Sequence, residues 1–192
     1  MLEAEASLAL AEAMGEDLEP YLQSPELYWP VSARRPAPVH PAPRLSLGTL
    51  QLSLDELEAL RSLLDPAQGA RSLRLDSRLE AARGRHGSAL QRKAQAEQAS
   101  RLRLWRAYLD DLSEGVGSPQ DYAGEVRNRL MGARLAVWAA SPAQASAMGE
   151  ASAAHDHRLR ALFQPGEFVL DDRLKSIYPS EEFWYLYGGV KK

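Results

Sequence analysis

Apolar side chains recur at intervals of three and four along most of this chain, in runs bounded by residues that start helices. Alternation with a period of two is confined to Leu45-Ser46-Leu47-Gly48-Thr49-Leu50-Gln51-Leu52. No second convincing strand exists to pair with it, so irregular or helical structure is expected there. Ser24-Pro25, Asp65-Pro66, Ser118-Pro119 and Ser141-Pro142 each put a capping oxygen before a proline, whose missing amide proton would be unpaired in a first helical turn anyway. Gln68, Asp121 and Gln144 stand where they can reach back to the last three of these caps. Ser53 with Glu56 reads as a further capping box, opening a short helix through Leu54, Leu57, Leu60, Leu63 and Leu64.

The first helix is expected over residues 2 to 14, ending near Gly15, with an apolar face of Leu2, Ala6, Ala9, Leu10 and Ala13. After Tyr28-Trp29-Pro30-Val31, alternating Pro36, Pro38, Pro41 and Pro43 forbid a helix and predict an extended strap. The longest pattern, 67 to 113, contains no proline. A break at Gly84-Arg85-His86-Gly87 would give a hairpin, but Ala82, Ala89 and Ala96 offer little area to close one, so a single bent helix is expected. Unbroken, it would be about 70 Å long, enough to protrude or to meet another chain. Trp105, Tyr108, Leu109 and Leu112 form a core stripe, matched by Tyr122, Val126, Leu130, Ala133 and Val137 after the Gly115-Val116-Gly117 connection. A helix from 142 to 163 follows, ended by Pro165-Gly166, and then an aromatic tail with Phe183-Trp184-Tyr185-Leu186-Tyr187. The expectation is an all-α antiparallel helical bundle with one long protruding basic helix and irregular, Pro-rich and aromatic terminal segments. It forms a single domain over 1–192, in which 1–45 is an acidic helix plus strap and 164–192 the tail.

Composition narrows the chemistry. No cysteine is present, which removes disulfides, thiolate metal sites and cysteine nucleophiles. No apolar run approaches the roughly 20 residues of a membrane helix, and the N-terminus is acidic rather than signal-like, so a soluble cytoplasmic protein is expected. His155-Asp156-His157 offers metal-ligand types, but i and i+2 diverge by about 200° on a helix, so no metal site is assigned. Neither a Gly-x-Ser-x-Gly turn nor a phosphate loop occurs, and the carboxylate pairs Asp110-Asp111, Asp171-Asp172 and Glu181-Glu182 are neighbours whose side chains diverge. No cofactor is called for, and catalysis is not expected.

Charge is the feature left over. Residues 71 to 106 hold ten basic side chains against three acids, while Glu3, Glu5, Glu12, Glu16, Asp17, Glu19 and Glu26 precede the first basic residue, Arg34. Arg71, Arg74, Arg78 and Arg85 share a helical face; Arg83, Arg92, Arg101 and Arg103 wander around it. A net charge of -3 weighs against a nucleic-acid module, whose overall charge is usually basic. The pattern suits a solvated helix partly neutralised by acids and, after that, binding to an acidic protein surface, including the acidic first helix of the same or a second copy. Candidate partner-binding residues are Arg71, Arg74, Arg78, Arg85 and Arg92 on the helix and Phe183, Trp184 and Tyr187 in the tail. The function expected is a non-catalytic protein-interaction or assembly module. Nucleic-acid binding through 71–106 is the alternative, and an enzyme or ligand-binding bundle the third reading. Because the polar helix and the crowded aromatic tail both look undercovered, a homodimer is expected to cover them.

Overall fold

A computed structural model describes residues 3–31 and 44–191. The chain is mostly helical, with two small sheets and a 48-residue helix. It divides into two compact units, Met1–Glu97 and Gln98–Lys192, and the long helix contributes its first part to one and its last part to the other.

In the first unit, α1 (Ala4–Glu16) and α2 (Leu18–Gln23) precede a two-residue strand β1 (Trp29–Pro30) that pairs antiparallel with β2 (Arg44–Leu45). That pairing pins together the two ends of the proline-rich segment, whose Pro36, Pro38, Pro41 and Pro43 lie outside the described residues. The first residue of the period-two run, Leu45, does find the strand partner that was not expected, Trp29, while from Leu47 on the run is helix, as α3 (Leu47–Ala59). Its cap is Ser46, whose oxygen accepts from the Thr49 amide at 3.2 Å while the Thr49 hydroxyl accepts from the Ser46 amide at 2.8 Å. The expected Ser53 cap is therefore wrong. Ser53 is buried one and a half turns inside the helix, its hydroxyl 3.8 Å from Met14 Sδ. Ser24 also fails as a helix start: it closes α2, donating its hydroxyl to the Tyr21 carbonyl. Along α1 the buried face is Ser7, Leu8, Ala11, Met14 and Gly15 rather than the Ala6, Ala9, Leu10 and Ala13 expected; Leu2 lies outside the described residues. Alanine methyls carry too little area to decide which face turns inward, and Leu8 and Met14 decide it.

The long helix, α4 (Pro66–Ser113), starts at Asp65 as predicted, with Asp65 Oδ1 accepting from the Gln68 amide at 2.8 Å and Gln68 Oε1 accepting from the Asp65 amide at 3.0 Å. It does not fold into a hairpin at Gly84-Gly87. The only non-helical dihedrals are at His86 (φ -122°, ψ 23°), a kink beside a Gly-Ser pair, where helices commonly bend. Leu75, Leu79, Ala82, Leu90 and Ala94 face inward, so the first unit has a leucine and alanine core. Glu97 closes it. With no exposed surface, its carboxylate accepts from Ser46 Oγ at 2.6 Å and from the Gly48 amide at 3.0 Å, at the positive end of α3.

The second unit is built on aromatics. Trp105, Tyr108 and Leu109 at the end of α4 and Tyr122, Val126 and Leu130 of α5 (Tyr122–Arg134) are buried, and the rings of Trp105 and Tyr122 meet edge to face at 6.3 Å. Leu112 and Ala133 are half-buried and Val137 is exposed, because the chain tightens to a 3₁₀ turn at Leu135–Trp138 and hands the inward positions to Leu135 and Trp138. The connection turns on Gly115, at φ +75°, with the Gly117 amide bonded back to the Asp111 carbonyl. The expected helix from 142 to 163 is two, α6 (Pro142–Ala153) and α7 (Asp156–Leu162). Gln98 ties the unit together: its amide nitrogen donates to the carbonyls of Gly132 and Met148 and lies 3.1 Å from Ser152 Oγ.

The tail is not irregular. β3 (Phe163–Phe168) pairs antiparallel with β4 (Tyr187–Val190), with a register shift between Pro165 and Phe168. Gly188 is obligatory there, since a Cβ would meet the Gln164 carbonyl oxygen at 2.1 Å and its φ is +149°. Tyr178, Phe183, Tyr185 and Leu186 are buried, and the Tyr122 hydroxyl donates to the Tyr185 carbonyl at 2.6 Å. Burial pushes the Tyr108 hydroxyl up to about 12 and raises those of Tyr122 and Tyr185 further. Trp105→Ala should destabilise the fold by about 3–5 kcal/mol in chemical denaturation, while Gln95→Ala, on the exposed face, should change it by less than about 0.5 kcal/mol.

Candidate functional site

The acidic arm and the basic helix meet within the first unit. Glu5, Glu12, Glu19 and Glu26 are spaced by seven, and so are Arg71, Arg78, Arg85 and Arg92. A seven-residue spacing returns a side chain to nearly the same helical face, with a drift of roughly 20° per repeat. Arg71 sits at the start of the seam and joins two acids: its Nε and Nη2 grip Glu12 at 3.0 and 2.5 Å, and its Nη1 reaches both oxygens of Glu5 at 2.8 and 2.9 Å. Gln68 Nε2 adds a bond to Glu5 at 3.1 Å. Arg78 lies 3.9 Å from Glu16, and Arg85 bonds Glu19, with His86 Nε2 at 3.9 Å from the same carboxylate. Arg92 leaves the seam, exposed, as three repeats of drift and the His86 kink together require. Lys93 takes over beside it, its ammonium 4.0 Å above the Tyr21 ring and bonded to the Glu26 carbonyl.

These contacts shift protons. Hydrogen bonds from Arg71 and Gln68 hold Glu5 below the ordinary carboxylate range, Arg85 does the same for Glu19, and the two acids raise Arg71 above its usual value. Burial lowers Lys93. Most of the seam is exposed, where single ion pairs contribute at most about 1 kcal/mol, so its main effect is to fix which part of the acidic arm lies beside which turn of α4.

The remaining candidates are dispersed. Arg74 and Arg92 are exposed and form no ion pair among the described residues. In the second unit, Phe183 is buried against Tyr178 and Tyr185, at ring distances of 5.1 and 6.2 Å. Trp184 packs on Phe163 and carries the Arg160 guanidinium at 4.0 Å. Tyr187 stacks with Phe168 and donates its hydroxyl to the Tyr178 carbonyl at 2.8 Å. The tail therefore covers its own aromatics within its unit, which removes one motive for a second copy.

His155, at the junction of α6 and α7, is lowered by burial and by Arg158 and Arg106, while Asp156 is held by Arg129 at 2.9 and 3.1 Å and is committed to that ion pair. Arg129 is almost wholly buried and also covers the Tyr185 ring at 4.6 Å. Among the described residues no group of three or more histidines and carboxylates converges as metal ligands would. Two features were missed in the sequence. The two rows of seven were countable, and Glu5–Arg71 and Glu19–Arg85 meet at the same separation of 66 residues, whereas the Arg129–Asp156 pair left no signal in spacing. Comparison with protein-family models, with curated proteins and with solved structures finds no match.

Because Glu5 and Glu19 are depressed in the folded state, their contribution is complete above the ordinary carboxylate value and is lost as pH falls through the lowered one. The thermal midpoint, followed by circular dichroism, should fall as pH drops below about 4.5. The fall should be shallower in Arg71→Gln, which removes the largest cause of the Glu5 shift and leaves only the Gln68 bond to hold it down.

Proposed function

We propose that the chain is a non-catalytic protein-interaction or assembly module built on an antiparallel helical bundle, acting in the cytoplasm through the outward face of α4. The observation that carries this reading is the pairing of Arg71, Arg78 and Arg85 with acids of their own chain, which leaves Leu73, 64% exposed, beside the exposed Arg74. Leu63, 61% exposed, is a second apolar side chain of the same unit that faces water. An uncovered leucine next to a guanidinium resembles the mixed apolar and arginine composition of protein interfaces. A strip that tracks phosphates would need its cations free, and here three of the five candidate arginines are already neutralised, so nucleic acid takes second place as a partner. The partner proposed first is a second copy of the chain.

Sedimentation of the intact protein from micromolar concentration upward should reveal a species heavier than the monomer, and Leu73→Glu with Arg74→Glu should return it to monomer mass. A monomer throughout, combined with binding of labelled DNA or RNA that weakens log-linearly with salt, would reverse the order of the two readings.

A further inference from the structure

Between α3 and the first turns of α4 lies a cleft of about 230 Å³, lined by Gln51, Leu54, Asp55, Leu57, Ser72 and Asp76, with the Glu58–Arg61 ion pair at 2.5 Å on its border. We propose that this cleft binds an alkylammonium group, the chemistry shared by a free aliphatic amine and a lysine side chain. It is separate from the outward face of α4 described above, so neither reading depends on the other.

The walls specify the charge. The lining carries three carboxylates, Asp55, Glu58 and Asp76, against one guanidinium, Arg61. Asp55 is only 4% exposed and accepts from Gln51 Nε2 at 2.9 Å; Gln51 is itself buried. One side chain points to a ligand independently of the acids. Ser72 is 7% exposed, lines the cleft, and its hydroxyl has no hydrogen-bond partner among the described residues. With no bond inside the chain, that oxygen can accept from a donor that enters the cleft. Asp76, one turn further along α4 and half-buried, makes no ion pair among the described residues.

The shape and donor chemistry select among cations. No three carboxylates converge as a metal ion demands, whereas an ammonium carries three donors that rotate independently to reach acceptors set apart, here Ser72 Oγ, Asp76 and Asp55. Leu54 and Leu57 supply an apolar wall along which a methylene stem can lie with its charged end among the oxygens. The volume is below the roughly 300–1,000 Å³ of sites for drug-sized ligands and suits one aliphatic chain.

The test uses the full, ¹⁵N-labelled chain and four probes: n-butylammonium, Nα-acetyl-lysine amide, the neutral Nα-acetyl-norleucine amide and a lysine-containing peptide. Both amines should shift the amides of residues 51–58 and 72–76 along saturating curves, with norleucine amide without effect. Asp76→Asn, a conservative change on a helix surface, should weaken the amines about tenfold while leaving the rest of the spectrum in place. Ser72→Ala should weaken them as well. Tighter binding of a lysine-containing peptide than of acetyl-lysine amide assigns the site to a protein partner, and equal binding assigns it to free amines. Non-saturating shifts, an equal response to norleucine amide, or unchanged affinity in Asp76→Asn would overturn the proposal.

Discussion

A carboxylate with no exposed surface has to be satisfied inside the fold, and the way Glu97 is satisfied sets the geometry of the whole first unit. Its oxygens take the Ser46 hydroxyl and the Gly48 amide, so α3 must begin at Leu47 and must begin beside that turn of α4. Starting there rather than at Ser53 adds nearly two helical turns. Those turns carry Gln51, and they set Gln51 and Asp55 one turn apart on the wall that faces Ser72 and Asp76. The cleft is thus a consequence of where one buried acid finds its donors.

The paired sevens act at a different level. Exposed ion pairs contribute little to stability, but a repeat of acids beside a repeat of arginines disfavours alignments out of step by less than a full repeat, because those leave both charges unpaired. Leu8, Met14 and Leu18 hold the arm down; Glu5, Glu12 and Glu19 determine its alignment along α4. This division suits a core made of leucine and alanine, whose side chains are similar enough in shape to tolerate a slip of one turn.

The second unit needs no such seam, because its core is made of side chains with individual shapes and polar ends. Tyr122 and Tyr187 each spend a hydroxyl on a specific carbonyl, and the rings of Trp105, Tyr122, Phe163 and Trp184 meet in sequence at 5.1 to 6.3 Å. Aromatic pairs with bonded hydroxyls restrict orientation as well as position. The buried Arg129–Asp156 pair adds a charged contact that is costly to break on one side only.

Much of this architecture is local and was legible as such. Asp65 with Gln68 and Ser141 with Gln144 start helices because cap chemistry needs only a few consecutive residues, and the stripes around Trp105 and Tyr122 declare themselves by spacing and bulk. The mainly helical class follows from the same signals. What they left open depended on partners far along the chain. Ser46 outcompetes Ser53 as a cap because Glu97, 51 residues away, waits for its hydroxyl. Phe163 and Tyr187 become strand residues only when Gly188 lets two backbones approach, and alanine-rich α1 has no inward face until Leu75 presses against Gly15. Helix starts and core stripes are properties of neighbours in sequence, and the chain itself determined them. Strand partners, the inward face of a weakly patterned helix, the fate of ten basic residues and the cleft at Ser72 are properties of neighbours in space, and only tertiary packing, which pairs charge and buries area across dozens of residues, decided them.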